Sequence, residues 1–293
     1  MQDNSFYLVI ILHDVMTGMR RDRNWQGRGF DNSSCMKYLL LCACIVLGFV
    51  SLSASAPSTE GVKDKIARKI WQNECAGSVK GLVSWNKGEN FPSLGIGHFI
   101  WYPRGVRGPF EESFPEFVRF AASKGVTVPS WARGAAPWAD RQAFLASDKK
   151  GGLADVMRAW LASHTEIQAD FIIKRSVSAL QRICREAKNP EDILRKYYAV
   201  ASTPQGMYAL IDYVNFKGEG VNAAERYRNQ GWGLLQVLEE MRPVVAGNAA
   251  STEFSRAAGK VLSRRVANSP ADRGERRWLQ GWLNRCATYA VPL

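Results

Sequence analysis

Ser93-Leu94-Gly95-Ile96-Gly97-His98 is the stretch on which the reading of the fold turns. The apolar run continues to Trp101, and the turn-forming residues Asn86-Lys87-Gly88-Glu89-Asn90 precede it. Together they predict a small hairpin or sheet over 81–102, with Ser93 to Trp101 as strand. Alternate side chains of a strand share a face, so Ser93, Gly95 and Gly97 are expected on one face and Leu94 and Ile96 in the core. Glycine lets a ligand approach the backbone closely, which makes Gly95 and Gly97 candidate substrate-binding positions.

Working upstream, the pattern becomes helical from Gly61. Val62, Ile66 and Ile70 recur every four residues, Lys63, Lys65, Arg68 and Lys69 fall on other faces, and Gly77 is a natural stop. Glu74 continues the apolar series, so a carboxyl group is expected on the apolar face near the helix C-terminus. Burial and the negative end of a helix both favour the protonated carboxyl, the form a general acid requires. Glu74 is the leading candidate for that role.

Downstream, Pro103 to Pro109 reads as a loop, 113–124 as helix, and Val128 to Pro137 as a loop bearing Trp131. Helices are expected at about 139–147, 150–162, 165–187, 191–201, 205–216, 222–242, 252–266 and 271–289, punctuated by Gly, Asn and Pro. The expected class is α+β, mostly α: a small N-terminal hairpin or sheet beside a helical lobe.

The N-terminal part reads as a targeting signal. Met36-Lys37 is followed by an apolar run from Tyr38 to Leu52 and then by Ser53-Ala54-Ser55-Ala56, the layout of a secretory signal peptide. The expected organisation is therefore an upstream extension of the reading frame at 1–35, a signal peptide at 36–56, and a catalytic domain at 57–293. The run is short for a membrane-spanning helix, so no stable membrane anchor is expected after cleavage, and the protein is expected in the periplasm or secreted.

The 293 residues carry a formal net charge of +12, with 46% hydrophobic and 23% charged residues. That composition supports a sizeable core, and the basic surface suits polyanions in general. No run of five or more Lys and Arg marks a nucleic-acid tail. No H-E-x-x-H, paired C-x-x-C, G-x-S-x-G, Walker loop or dinucleotide fingerprint is present, so neither metal nor organic cofactor is expected. Cys75 and His98 share the region of interest but carry no local signature of nucleophilic Cys–His chemistry. Beyond the signal segment, Cys75, Cys184 and Cys286 are compatible with one disulfide or with three thiols. Among ten Trp, Trp85, Trp101 and Trp131 are candidates for stacking on sugars, with core packing as the alternative. His98 reads as a structural hydrogen-bonding residue.

A Glu ending a helix, then a turn-rich hairpin, then S-L-G-I-G-H resembles the phage-type lysozymes of the lysozyme-like glycoside hydrolase superfamily, which show a catalytic Glu, an Asp and T-I-G-I-G-H. The stretch Tyr208 to Phe216 followed by Gly218-Glu219-Gly220 is similar to a long helix of that family and its Gly-Glu-containing end. Trp232 to Met241 has the following helical position, and Arg265 to Pro270 with Arg273, Glu275, Arg276 and Trp278 resembles its closing segment. The matching blocks cover about 70 residues, and 104–205 reads as a central helical insertion.

The resemblance implies a lysozyme-like fold and cleavage of the β-1,4 bond between N-acetylmuramic acid and N-acetylglucosamine. It implies that Glu74 protonates the glycosidic oxygen, that Ser93 replaces a Thr helping to hold the catalytic water, and that Arg273 positions the acid. The family's Asp positions hold Val83 and Lys87; the nearest carboxylate is Glu89, fifteen residues after Glu74 and four before Ser93. Glu89 is therefore the candidate second group. Two alternatives stand beside hydrolysis: a lytic transglycosylase needing one acid, and a non-catalytic wall-binding protein of the same fold. Peptidoglycan is the expected partner, nucleic acid is not, and a monomer is expected.

Overall fold

The computed structural model describes residues 59–108 and 110–293, with side chains from Gly61 onward. The expected extension at 1–35 and signal peptide at 36–56 lie outside the described residues. Among the described residues, no helix is long and apolar enough to cross a membrane. The described chain is mostly helical, and it forms two compact units, one spanning Val62–Lys174 and the other containing Arg175–Leu293.

The first unit opens on α1 (Thr59–Cys75), which buries Ile66 and Ile70 as the four-residue spacing requires. Ala76 (φ 50°) and Gly77 (φ 66°) stop the helix in left-handed conformations. A 3-10 turn (Lys80–Leu82) follows, and its Gly81 lies so close that a Cβ there would stand 2.8 Å from Cys75 Cβ. The helix end is thus clamped against the entry to the sheet.

The sheet has three very short antiparallel strands in the order β1 (Val83–Ser84), β2 (Ser93–Leu94) and β3 (Phe99–Ile100). Val83, Leu94 and Phe99 stand in register across it, as do Ser84, Ser93 and Ile100 on the opposite face. The first row is fully buried and forms core. The expected continuous strand from Ser93 to Trp101 is corrected: Gly95 to His98 is a four-residue turn joining β2 to β3. Gly95 has φ 74° and His98 φ 48°, values an extended strand cannot hold, and the His98 N–H donates to Gly95 O at 3.2 Å to close the turn.

The segment read as an insertion supplies much of this unit's core. It contributes α2 (Phe114–Ser123), α3 (Arg141–Ser147), α4 (Leu153–Ala162) and the start of α5 (Thr165–Glu186). Phe99 stacks on Phe117 at 5.0 Å and meets Phe171 edge-on at 5.3 Å, and Trp101 packs on Phe114 at 4.6 Å. Arg158 of α4 is buried and ties the sheet entry down, donating to Lys80 O, to Val83 O and to Asp148.

The second unit is built from the end of α5 with α6 (Pro190–Ala201), α7 (Pro204–Lys217), α8 (Leu234–Glu240), α9 (Asn248–Asn268) and α10 (Arg276–Ala287). Its core gathers Tyr213, Phe254 and Tyr289, with Tyr213 edge-on to each of the other two rings. Fully buried Asp212 accepts two hydrogen bonds from Arg285 and one from the Tyr289 hydroxyl. The helix expected over 222–242 is corrected to a β-hairpin, β4 (Arg226–Tyr227) and β5 (Gln230–Gly231), followed by the short α8. Arg228 and Asn229 turn the hairpin with φ 50° and 62°, the tight two-residue geometry that a helix excludes.

Candidate functional site

Glu74 occupies the last turn of α1, and its side chain is 12% exposed, so the carboxyl group is largely withdrawn from water without being sealed in. The GIGH turn brings His98 to it, with Nδ1 3.4 Å from Glu74 Oε2 and the imidazole 27% exposed. Two local features create this meeting. The left-handed stop at Ala76–Gly77 ends the helix one residue past Cys75, and the left-handed His98 turns its side chain out of the hairpin.

The neighbouring Cys75 thiol is buried. Burial first, and then the Glu74 carboxylate, push the Cys75 thiol up to about 12, and its Sγ lies 3.6 Å from Gly95 O. A thiol in that state is neither a nucleophile nor a metal ligand near neutral pH. Cys75, Cys184 and Cys286 are all thiols, so no disulfide forms among them. No cluster of three or more metal-ligating side chains occurs among the described residues.

Gly95 and Gly97 have a different purpose from the one expected. A Cβ at Gly95 would stand 2.3 Å from Gln168 Oε1, and one at Gly97 would stand 2.6 Å from the Phe99 ring and 2.9 Å from Ile172. The space that the absent side chains leave is filled by the protein's own atoms. Gln168, fully buried on α5, accepts the Ile96 N–H at 2.9 Å and donates from Nε2 to Leu161 O at 2.7 Å and His164 O at 3.1 Å. It holds the turn that carries His98, and lying 72 residues from Ile96 it left no local signal in the sequence.

Ser93 is buried on β2, directly opposite Ser84. Trp85 and Trp101 are core residues, which corrects their assignment to sugar stacking. Trp85 is buried against Phe144 with its Nε1 donating to Glu89 O at 2.8 Å; Trp101 is 0% exposed with its Nε1 donating to Gly134 O at 2.9 Å. Neither ring offers a face to a ligand. Trp131 is half-buried, near-parallel to Phe114 and edge-on to Trp160.

Glu89 lies in the loop joining β1 to β2, at the end of the sheet opposite the GIGH turn. Its Oε2 is buried and has no hydrogen-bond partner among the described residues, and the same holds for Ser84 Oγ. Burial, with smaller contributions from the carboxylates of Glu112 and Glu89, pushes the Tyr102 hydroxyl above its ordinary range, which places Glu89 within electrostatic reach of Tyr102. Arg273 belongs to the second unit, where it ends the 3-10 turn Ala271–Arg273 with its side chain exposed.

The second unit holds a cluster that sequence reading did not find. Lys217, the last residue of α7, lies with Nζ 3.5 Å from the centroid of the Trp282 ring and 4.0 Å from that of Phe216. Burial, and then the guanidinium groups of Arg265 and Arg285, hold its ammonium well below the ordinary lysine range. Nearby Glu225 is pushed above the usual carboxylate range, mainly by burial. Glu219 is taken up by a two-bond ion pair with Arg182.

No protein-family model, no curated protein and no solved structure matches the chain.

Proposed function

We propose that this protein is a lysozyme-like glycosidase that cleaves the β-1,4 bond between N-acetylmuramic acid and N-acetylglucosamine in peptidoglycan, with Glu74 as its acid. The observation that carries this reading is the Glu74 carboxyl group, 12% exposed at the end of α1 and met by His98 of the GIGH turn. A carboxyl group at a helix end that solvent still reaches is placed where a glycosidic oxygen could meet it.

Glu89 is the second group in this reading, with Ser93 helping to hold the attacking water. The orphaned Glu89 Oε2 and Ser84 Oγ supply polar atoms at the loop end of the sheet that are able to bind one. The two-residue strands stand between the turn that meets Glu74 and the loop that carries Glu89. The basic chain suits an anionic wall polymer, and its binding is expected to weaken with salt.

Val83 and Lys87 at the family's Asp positions favour one second reading, a lytic transglycosylase in which a single acid suffices and the sugar's own hydroxyl closes the ring. One assay separates the two. The purified protein is incubated with peptidoglycan and the released fragments are weighed: ordinary reducing ends indicate hydrolysis, anhydro ends a transglycosylase, and no release a wall-binding protein. Glu74→Gln is expected to abolish release, and release surviving that substitution overturns the assignment.

A further inference from the structure

The loop between α8 and α9 leaves apolar side chains in water. Met241 and Ala250 are buried at its two ends, and between them Pro243, Val245 and Ala246 are exposed and Val244 is half-buried. Val245 is 76% exposed, the most exposed large apolar side chain among the described residues. The Gly247 N–H donates to Ala199 O at 3.3 Å and ties the loop to α6. Between loop and helix opens a cavity of about 460 Å³, lined by Arg195, Lys196 and Ala199 of α6 and by Pro243, Val244 and Val245. Its wall holds two cations and no carboxylate.

The nearby carboxylates do not cancel the charge around the loop. Asp192 is shared by Arg195 and by buried Lys196, whose Nζ stands 2.7 Å from it. Glu253 is shared by Arg242, at 2.7 Å, and Arg256, at 2.6 Å. Two cations to one carboxylate leave each group of three with one net positive charge. Exposed Glu191 lies in the first turn of α6, outside the cavity lining. Arg195 and Arg242 are 68% and 71% exposed, one in the cavity wall and the other at the root of the loop. An aliphatic tip between cations matches anionic phospholipid, whose phosphate meets guanidinium groups and whose acyl chains take valines out of water. Valine offers no flat face to a sugar or a base. A second copy of the chain would bring like charges against these.

We propose that the α8–α9 loop is a peripheral membrane-docking site for anionic phospholipid, with the lipid phosphate at Arg195 in the mouth of the cavity and Val244 and Val245 against the acyl chains. The contact is reversible and spans nothing, because a few apolar residues with a small net charge hold a protein at a bilayer only weakly. The site lies in the second unit and does not rest on the glycosidase activity proposed above.

The test follows amide hydrogen exchange of the segment 242–247 in the full chain as vesicles are added. Contact made elsewhere, by the apolar run Tyr38 to Leu52 for example, is then not read as this site. Vesicles of phosphatidylglycerol mixed with phosphatidylcholine are compared at low salt with vesicles of phosphatidylcholine alone. The expected result is slowed exchange with the anionic vesicles only. Arg195→Gln is expected to raise the lipid needed for half protection by about five-fold, the effect of one cation at an anionic surface. Val245→Asp is expected to raise it by about ten-fold or more, and Val245→Trp to lower it. Both side chains are exposed, so the melting temperatures are expected to move little and lost binding is not lost folding. Equal protection by the neutral vesicles, no protection by either, or a half-point unmoved by Val245→Asp overturns the proposal. Equal protection by dextran sulfate also overturns it, because it assigns the cations to soluble polyanions.

Discussion

Gln168 Oε1 accepts the backbone N–H of Ile96 at 2.9 Å, in the volume that a side chain at position 95 would occupy. One amide from α5 therefore fixes the turn whose last residue meets Glu74. Gln168→Leu leaves a buried N–H and two carbonyls without their partner, and an unsatisfied buried group costs about 1–3 kcal/mol. Urea unfolding is expected to show a lowered midpoint with an unchanged slope; a midpoint equal to that of the parent protein contradicts the role.

Gly95→Ala tests the same fit from the other side. The new Cβ carries the strain of φ 74° and stands 2.3 Å from Gln168 Oε1. Gly88 has φ 90° and nothing within 4 Å of a Cβ, so Gly88→Ala carries backbone strain alone. That strain is about 1–2 kcal/mol. Gly95→Ala is expected to unfold at a clearly lower temperature than Gly88→Ala. Equal melting temperatures contradict the packing described.

His98→Asn keeps a residue that tolerates the left-handed backbone while removing the imidazole beside Glu74. Under the proposed function, release of wall fragments is expected to fall by about ten-fold or more, the scale of a misplaced catalytic group. The melting temperature is expected to move little. Unchanged release separates His98 from the chemistry.

Burial pushes both Cys75 and Cys286 up to about 12. At pH 8 about one thiol in ten thousand would be thiolate at either site, against a substantial fraction for an ordinary cysteine. Alkylation of the native protein, read by peptide mapping, is expected to spare both and to modify them only in denaturant. Prompt native labelling of Cys75 overturns the buried helix end.

Arg256, with Arg242 beside it, holds Glu253 well below the usual carboxylate range against the opposing effect of burial. A depressed carboxylate stabilises the fold fully above its unfolded pKa, about 4.3, and loses that contribution as pH falls through the folded value. Glu253→Gln is therefore expected to be less stable than the parent at pH 7, with the difference shrinking below about pH 4. A pH-independent difference assigns the loss to packing.

Local periodicity carried part of this fold. The series Val62, Ile66, Ile70 placed Glu74 at a helix end, and Leu94 and Ile96 are buried as alternation demanded. Alternation failed at Gly95 to His98, because a tight turn also buries its apolar residue and only φ separates it from a strand. The helix expected over 222–242 failed at Arg226 to Gly231, where the positive φ of Arg228 and Asn229 turns a hairpin. Trp85 and Trp101 were ambiguous in the sequence because an indole serves core and cleft equally well, and Phe144 and Phe114, far along the chain, decided the matter. Gln168 and Lys217 were invisible for a related reason: what singles them out is which atoms from distant segments stand against them.

The Asp212 carboxylate makes the last turns of the chain part of the second unit's interior. Trimming the protein back past Tyr289 would strand a buried charge, whereas Val291 is 58% exposed and bears no such burden. An affinity handle placed beyond Val291 is expected to leave the unit folded, and one that replaces Tyr289 is expected to unfold it.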